Sequence, residues 1–233
     1  MRSPDVTQKR IALAIVSFSI LAEPAMADEM TGLYFGANAL DLLSTYRRAT
    51  LDDGMTAAFG GAKNGYAMGP SSTDRSHLSW TVDVGYMLTP NFGVELSFLD
   101  FGPFRYSGYG TVTSSVDGKA SEIHLNLDVR THGPALAVVG VLPMTNFWDL
   151  TARVGAFQAK TKSSFHTTVG DSADSGSFSQ NTTSVLASIG TAFTVTTHCV
   201  LRMDYLRIQK IKEKALERDF NIDGVTAGVE YVF

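Results

Sequence analysis

The stretch LSWTVDVGYMLTPNFGVELSFLDFG, Leu78 to Gly102, decides the fold. Trp80, Val82, Val84, Tyr86 and Leu88 take every second position, and Ser79, Thr81, Asp83 and Gly85 fill the places between. A period of two with one apolar face is the mark of a strand. Thr89-Pro90-Asn91 then supplies the fixed and permissive torsions of a tight turn. Beyond it the alternation resumes, with Phe92, Val94, Leu96 and Phe98 against Gly93, Glu95 and Ser97. Each arm is about as long as a strand that crosses a bilayer, roughly 9–11 residues when tilted.

Working outward, the same signature recurs at 32–42, 77–88, 92–102, within 122–142, and at 148–160, 183–195, 199–210 and 222–233, eight candidate strands in all. The connections 89–91, 143–147 and 196–198 are short and those between them are long. That layout predicts an all-β fold, an eight-stranded antiparallel up-and-down transmembrane β-barrel, with its turns in the periplasm and its loops outside the cell. Residues 43–76 carry Gly54, Gly60, Gly61, Gly65, Gly69 and Pro70, and residues 161–182 are rich in Ser, Thr and Gly. Neither segment is expected to pack a core of its own. The charge run Lys210 to Asp219 reads as a solvated rim, and Gly133-Pro134 implies a bulge or a strand that projects beyond the bilayer.

Ahead of the strands, Arg2, Lys9 and Arg10 precede the twelve-residue apolar run Ile11 to Ala22, followed by Ala25-Met26-Ala27. The run falls short of the roughly 18 apolar residues of a membrane-spanning helix. Residues 1–27 therefore read as a signal peptide, with Ala25 and Ala27 forming the cleavage motif, and residues 28–233 as the barrel domain. The chain has 19 basic and 23 acidic residues, a net charge of −4, which argues against a nucleic-acid partner. Cys199 is the only cysteine, so no disulfide framework is available.

Val225, Ala227, Val229, Tyr231 and Phe233 form one face of the last strand, which ends on an aromatic residue. This pattern resembles the C-terminal signature of bacterial outer-membrane barrels. GLYFGANAL (32–40), GYMLTPNFGVELSFLDFG (85–102) and GVTAGVEYVF (224–233) likewise resemble the small eight-stranded barrels of the OmpA-like transmembrane and opacity-porin type. The resemblance implies a Gram-negative outer-membrane location, with outer-membrane lipid and lipopolysaccharide as surroundings. It also implies that the barrel assembly machinery reads Tyr231 and Phe233, and that loops are available to host or surface ligands. The peptidoglycan-binding domain of larger members is not expected here, so cell-wall anchoring is not inherited.

Sites for chemistry are sparse. There is no histidine pair at metal-ligand spacing, no Walker loop and no Gly-x-Ser-x-Gly, so neither metal nor cofactor is expected. Ser163, Ser164 and His166, with Asp171 and Asp174 nearby, fall in a segment expected to be a flexible loop, and the His-x-Ser-Asn pattern of lipid A deacylases is absent. Enzymatic activity is therefore not expected. Phe101, Phe104, Tyr106 and Tyr109 read as an interfacial girdle in preference to a contact site, with Trp80 and Trp148 also facing lipid.

Parity places Asp83, Glu95, Arg153, Arg202, Asp204 and Glu230 inside the barrel. The expected arrangement seats Arg202 between Glu230 and Asp204, lets Arg153 serve Asp83 or Glu95, and plugs the lumen. The alternative is a hydrated polar interior without persistent pairs. The expected function is a structural or surface-interaction barrel, with a narrow porin-like channel as the second reading and a lipid A-modifying enzyme as a third.

Overall fold

A computed structural model describes residues 32–44, 48–61, 65–74, 79–113, 118–213 and 218–233. The expected leader, including Ala25 and Ala27, lies outside the described residues, as do positions 214–217 of the charge run. The elements are β1 (Gly32–Ser44), α1 (Arg48–Ala58), β2 (Tyr66–Asp74), β3 (Ser79–Thr89), β4 (Phe92–Thr113), β5 (Ala120–Pro143), β6 (Trp148–Val169), β7 (Ser172–Thr196), β8 (Cys199–Glu213) and β9 (Arg218–Val232). Strands β1, β3, β4, β5, β6, β7, β8 and β9 pair antiparallel in that order, and β9 pairs back onto β1, closing an eight-stranded ring. Closure leaves no free edge within the membrane, where an unpaired backbone amide would have no water to bond.

The lower part of the ring wears an apolar belt. Phe35, Val82, Leu96, Val138, Val154, Ile189 and Met203 point outward and are exposed on the isolated chain. Trp80 and Trp148 share the outward parity, Trp80 against Phe98 and Trp148 stacked on Phe193. The inward positions alternate with these, so Thr81 is buried between Trp80 and Val82. Val84→Arg would put a charge among lipid tails, costing about 2–4 kcal/mol near the midplane. The unfolding free energy of the refolded barrel, from urea titration, should fall by that amount for Val84→Arg and by clearly less for Thr81→Arg. Equal losses would overturn the face assignment.

Above the belt the strands continue. β4, β5, β6 and β7 run 22, 24, 22 and 25 residues, about twice what a bilayer needs. Their outward side chains turn polar, with Arg105, Asn126, Arg130, Lys162 and Ser164 exposed to water. Residues 161–182 are thus a regular hairpin and not the loop expected from composition. Every residue from Thr161 to Val169 has a partner on β7, and the chain reverses at Gly170, whose φ of +55° suits glycine. Thr and Phe on a pleated surface favour the ladder despite the Ser and Gly between them.

Residues 43–76 also depart from expectation. They contribute α1 and β2, and β2 adds to the upper part of β4, outside the ring. Leu51 and Met55, one helical turn apart, are buried with Tyr66, Phe104, Tyr106, Ile123, Leu127 and Val129 in a second core above the membrane. The girdle reading therefore fails for Phe101, Phe104 and Tyr106, which point inward and are nearly inaccessible; only Tyr109 faces out. Phe101 keeps the inward parity of Glu95 and Leu99, and a bulge between Asp100 and Pro103 turns Phe104 and Tyr106 inward and Tyr109 outward. Gly102 takes φ +69° there, and its N–H donates to Asp100 Oδ1 at 2.9 Å. The extra residue reverses the parity of everything after it. Across from this bulge Pro134 points outward within a continuous β5, whose pairing with β6 keeps one register on either side.

Candidate functional site

The lumen is built in three layers. At the periplasmic end Tyr34, Met87, Val139, Val141, Ala192 and Val232 line an open recess, with Arg153 and Glu230 at its inner limit. Tyr34 fits because residue 85 opposite is glycine; a Cβ there would stand 2.0 Å from the ring.

The middle layer holds the six charged residues singled out by parity, and the structure brings all of them together. Asp83, Glu95, Arg153, Arg202, Asp204 and Glu230 are each no more than 6 % exposed. Arg202 reaches Asp83 at 2.9 Å, Glu95 at 3.2 Å and Asp204 at 2.8 Å, and also contacts Glu230. Arg153 reaches Glu95 at 3.1 Å, Asp204 at 2.9 Å and Glu230 at 3.5 Å. The two arginines thus share one web in place of separate partners, and Arg153 makes no ion pair with Asp83 among the described residues. A lumen this narrow lets one guanidinium fork meet carboxylates from several strands.

Neutral donors complete the shells. Tyr34 donates to Glu95 Oε2 at 2.7 Å, Asn38 Nδ2 to Asp83 Oδ2 at 2.7 Å and Thr151 to Asp204 Oδ1 at 3.1 Å. Asp83, Glu95 and Glu230 offer ligand atoms within 4.8 Å of one another, a spacing that could hold a cation. Arg202 already bonds all three, so the arrangement is one of ion pairing.

The upper layer is apolar, and nothing in the alternation of single strands announced it. Leu99, Phe101, Ala135, Phe157, Leu186, Leu206, Ile208, Ile211 and Ile222 meet across the ring. Phe157, Ile208, Ile211 and Ile222 have no accessible surface, and Phe101 stands edge-on to Phe157 with centroids 5.7 Å apart. The charged layer is therefore followed by a layer of hydrocarbon.

Over this seal lies the upper sheet, in the order β2-β4-β5-β6-β7, with α1 packed on its inner side. The Tyr106 hydroxyl donates to Asp52 Oδ1 at 2.7 Å, tying the helix to the sheet. Burial, and then this bond to a carboxylate, push the hydroxyl well above the ordinary phenol range. Nearby on the same inner face, Phe165 stacks on Phe178 with centroids 5.9 Å apart.

The Ser/His candidates take unexpected places. Ser163 is buried on the inner face of β6, while Ser164 and His166 are exposed on its outer face, and Asp171 and Asp174 lie at the hairpin tip. Opposite faces of one strand keep Ser163 and His166 apart, whereas Ser164 and His166 share the outer face. At the C-terminus, Tyr231 and Phe233 face lipid, with Phe233 edge-on to both Phe35 and Tyr231.

A comparison with curated proteins finds no match. Among solved structures the chain is similar to Ail, the attachment invasion locus protein of Yersinia pestis, at 15% identity and a TM-score of 0.41, covering 88% of this chain and 100% of that one. It is similar to the Neisserial surface protein A at 12% identity and 0.41, covering 87% and 98%. It is also similar to OprG of Pseudomonas aeruginosa at 15% identity and 0.41, covering 89% and 99%. The family described as the OmpA-like transmembrane domain matches residues 46–233. With its closed ring of eight strands and its lipid-facing belt, the chain belongs to the OmpA-like transmembrane domain family and is an outer-membrane β-barrel.

Proposed function

We propose that this barrel does not conduct and serves to hold a binding surface outside the cell. The observation that carries this reading is the apolar seal across the lumen, topped by a sheet with its own core. Material invested in four long strands beyond the bilayer has no use in a pore, whereas a rigid platform favours recognition. Among the described residues, Ser172 to Ser179 of β7 pair with β6, and the pairing of β7 with β8 begins at Val185, so we read the outer side of residues 172–179 as an edge. The segment SADSGSFS carries no Lys and no Pro, the usual guards of an exposed edge. An extended segment of a partner protein could continue the sheet there.

Ser163 and Phe178 are register partners, so residues 164–177 can be replaced by Asn-Gly to make a shorter hairpin. The expected result is a folded barrel that no longer attaches cells to protein-coated surfaces to which the intact chain attaches them. Neither form should give a stable open level in planar bilayers. Equal attachment by both forms, or steady conductance by the intact chain, would overturn the reading.

A further inference from the structure

The recess at the periplasmic end of the lumen plays no part in holding a surface outside the cell, and its lining is of two kinds. The walls are hydrocarbon from Met87, Val139, Val141 and Val232, with the Tyr34 ring beside them. The floor is charged, because Glu230 and Arg153 stand at the inner limit, in front of the web. An apolar recess that ends on charge suits a ligand with a short hydrocarbon chain and one ionic end.

The sign of that end follows from the composition of the web. Asp83, Glu95, Asp204 and Glu230 face only Arg153 and Arg202, and all six are buried. With every group ionised, the excess is two negative charges. Buried charge without a partner is costly, so the excess calls for a positive group. The mouth of the recess supplies none. Its turns, Thr89 to Asn91, Pro143 to Phe147 and Thr196 to His198, contain no lysine or arginine. His198 is turned away, stacked on the lipid-facing Tyr231. Asp149, half-buried on the same face of β6 as Thr151 and Arg153, adds a further acid on the periplasmic side of the web.

Glu230 is the carboxylate within reach. Both arginines meet it through Oε1, Arg153 at 3.5 Å, and no hydrogen bond among the described residues uses its Oε2. Arg153 is itself shared among Glu95, Asp204 and Glu230, so it offers an incoming anion little.

We propose that the recess binds a small aliphatic primary ammonium ion from the periplasm. Its alkyl chain lies against Met87, Val139 and Val141, and its ammonium group donates to Glu230. A proton taken up by the web would offset charge but leave the apolar walls bare, whereas an alkylammonium ion meets both and brings three donors. The ligand leaves by the way it enters, because the layer of hydrocarbon around Phe157 lies above the web.

The test follows the methyl groups of the full barrel, refolded in zwitterionic detergent, by NMR while butylammonium, butanol or pentanoate is added. Butylammonium should give saturable shifts at the lumenal Val139 and Val141, butanol much weaker ones and pentanoate none. Val138 and Val154 face lipid, so their shifts report entry into the detergent instead. Glu230→Gln keeps the shape of the side chain and should weaken butylammonium binding roughly tenfold, the usual worth of a charge-assisted hydrogen bond. Val141→Phe fills the recess, leaves every charge in place and should also weaken binding. It carries the test alone if Glu230→Gln does not fold. Equal binding of butylammonium and butanol would make the recess merely apolar and overturn the proposal. Tighter binding of pentanoate would overturn it by assigning the floor to Arg153, and so would shifts confined to Val138 and Val154.

Discussion

Arg202→Ala should lower the stability of the refolded barrel by about 3–5 kcal/mol, the usual cost of removing one partner from a buried ionic network. Arg202 meets all four lumenal carboxylates. Without it they face each other with only Arg153 between them, and Arg153 does not reach Asp83. Arg202→Lys should recover part of the loss, since an ammonium keeps the charge but lacks the fork. Conductance should stay at the background level in every case, because Leu99, Phe157, Ile208 and Ile222 still close the ring above. Urea midpoints and planar-bilayer recordings check the two halves separately. An unchanged midpoint would mean that the web contributes no stability. Persistent cation-selective openings in Arg202→Ala would mean that charge and not hydrocarbon closes the lumen.

Removing Phe233 should leave export intact and strip most of the folded protein from the outer membrane. The side chain is 65% exposed, so the lumen does not need it. In the barrel it makes two edge-on ring contacts, each worth about 0.5–1.5 kcal/mol, and its N–H donates to Leu33 at the β1–β9 seam at 3.1 Å. We propose that its larger role is as the residue that the assembly machinery reads. The two roles come apart in one comparison. If reading dominates, the truncated chain refolds in detergent almost as well as the intact one yet fails to assemble in cells, and Phe233→Tyr assembles normally. Full assembly of the truncated chain in cells would remove the signal, and equal failure in both settings would assign the residue to the seam alone.

The barrel itself was legible in the sequence because a membrane imposes a simple rule. Every lipid-facing position must be apolar and every lumenal one need not be, so Val82, Val84 and Tyr86 against Thr81 and Asp83 read as two faces without any knowledge of neighbours. The same rule put the six charged residues inside, since charge among lipid tails is costly. Outside the membrane that rule lapses. Thr161 to Thr182 and the segment with α1 and β2 show no strong pattern of their own, and their order comes from pairing and from a core assembled out of distant pieces. Leu51 and Met55 at helical spacing were a faint signal, but only contact with Tyr66, Tyr106 and Ile123 gives them a core to enter. The bulge at Gly102 could not be foreseen from alternation, and it alone turns Phe104 and Tyr106 from apparent girdle residues into buried ones. The sequence by itself determined which residues face lipid and which face the lumen, because that choice is made position by position against the solvent. Only the tertiary structure decided who meets whom across the ring, from the shared web of Arg153 and Arg202 to the seal around Phe157, because those contacts depend on register and closure among strands far apart in the chain.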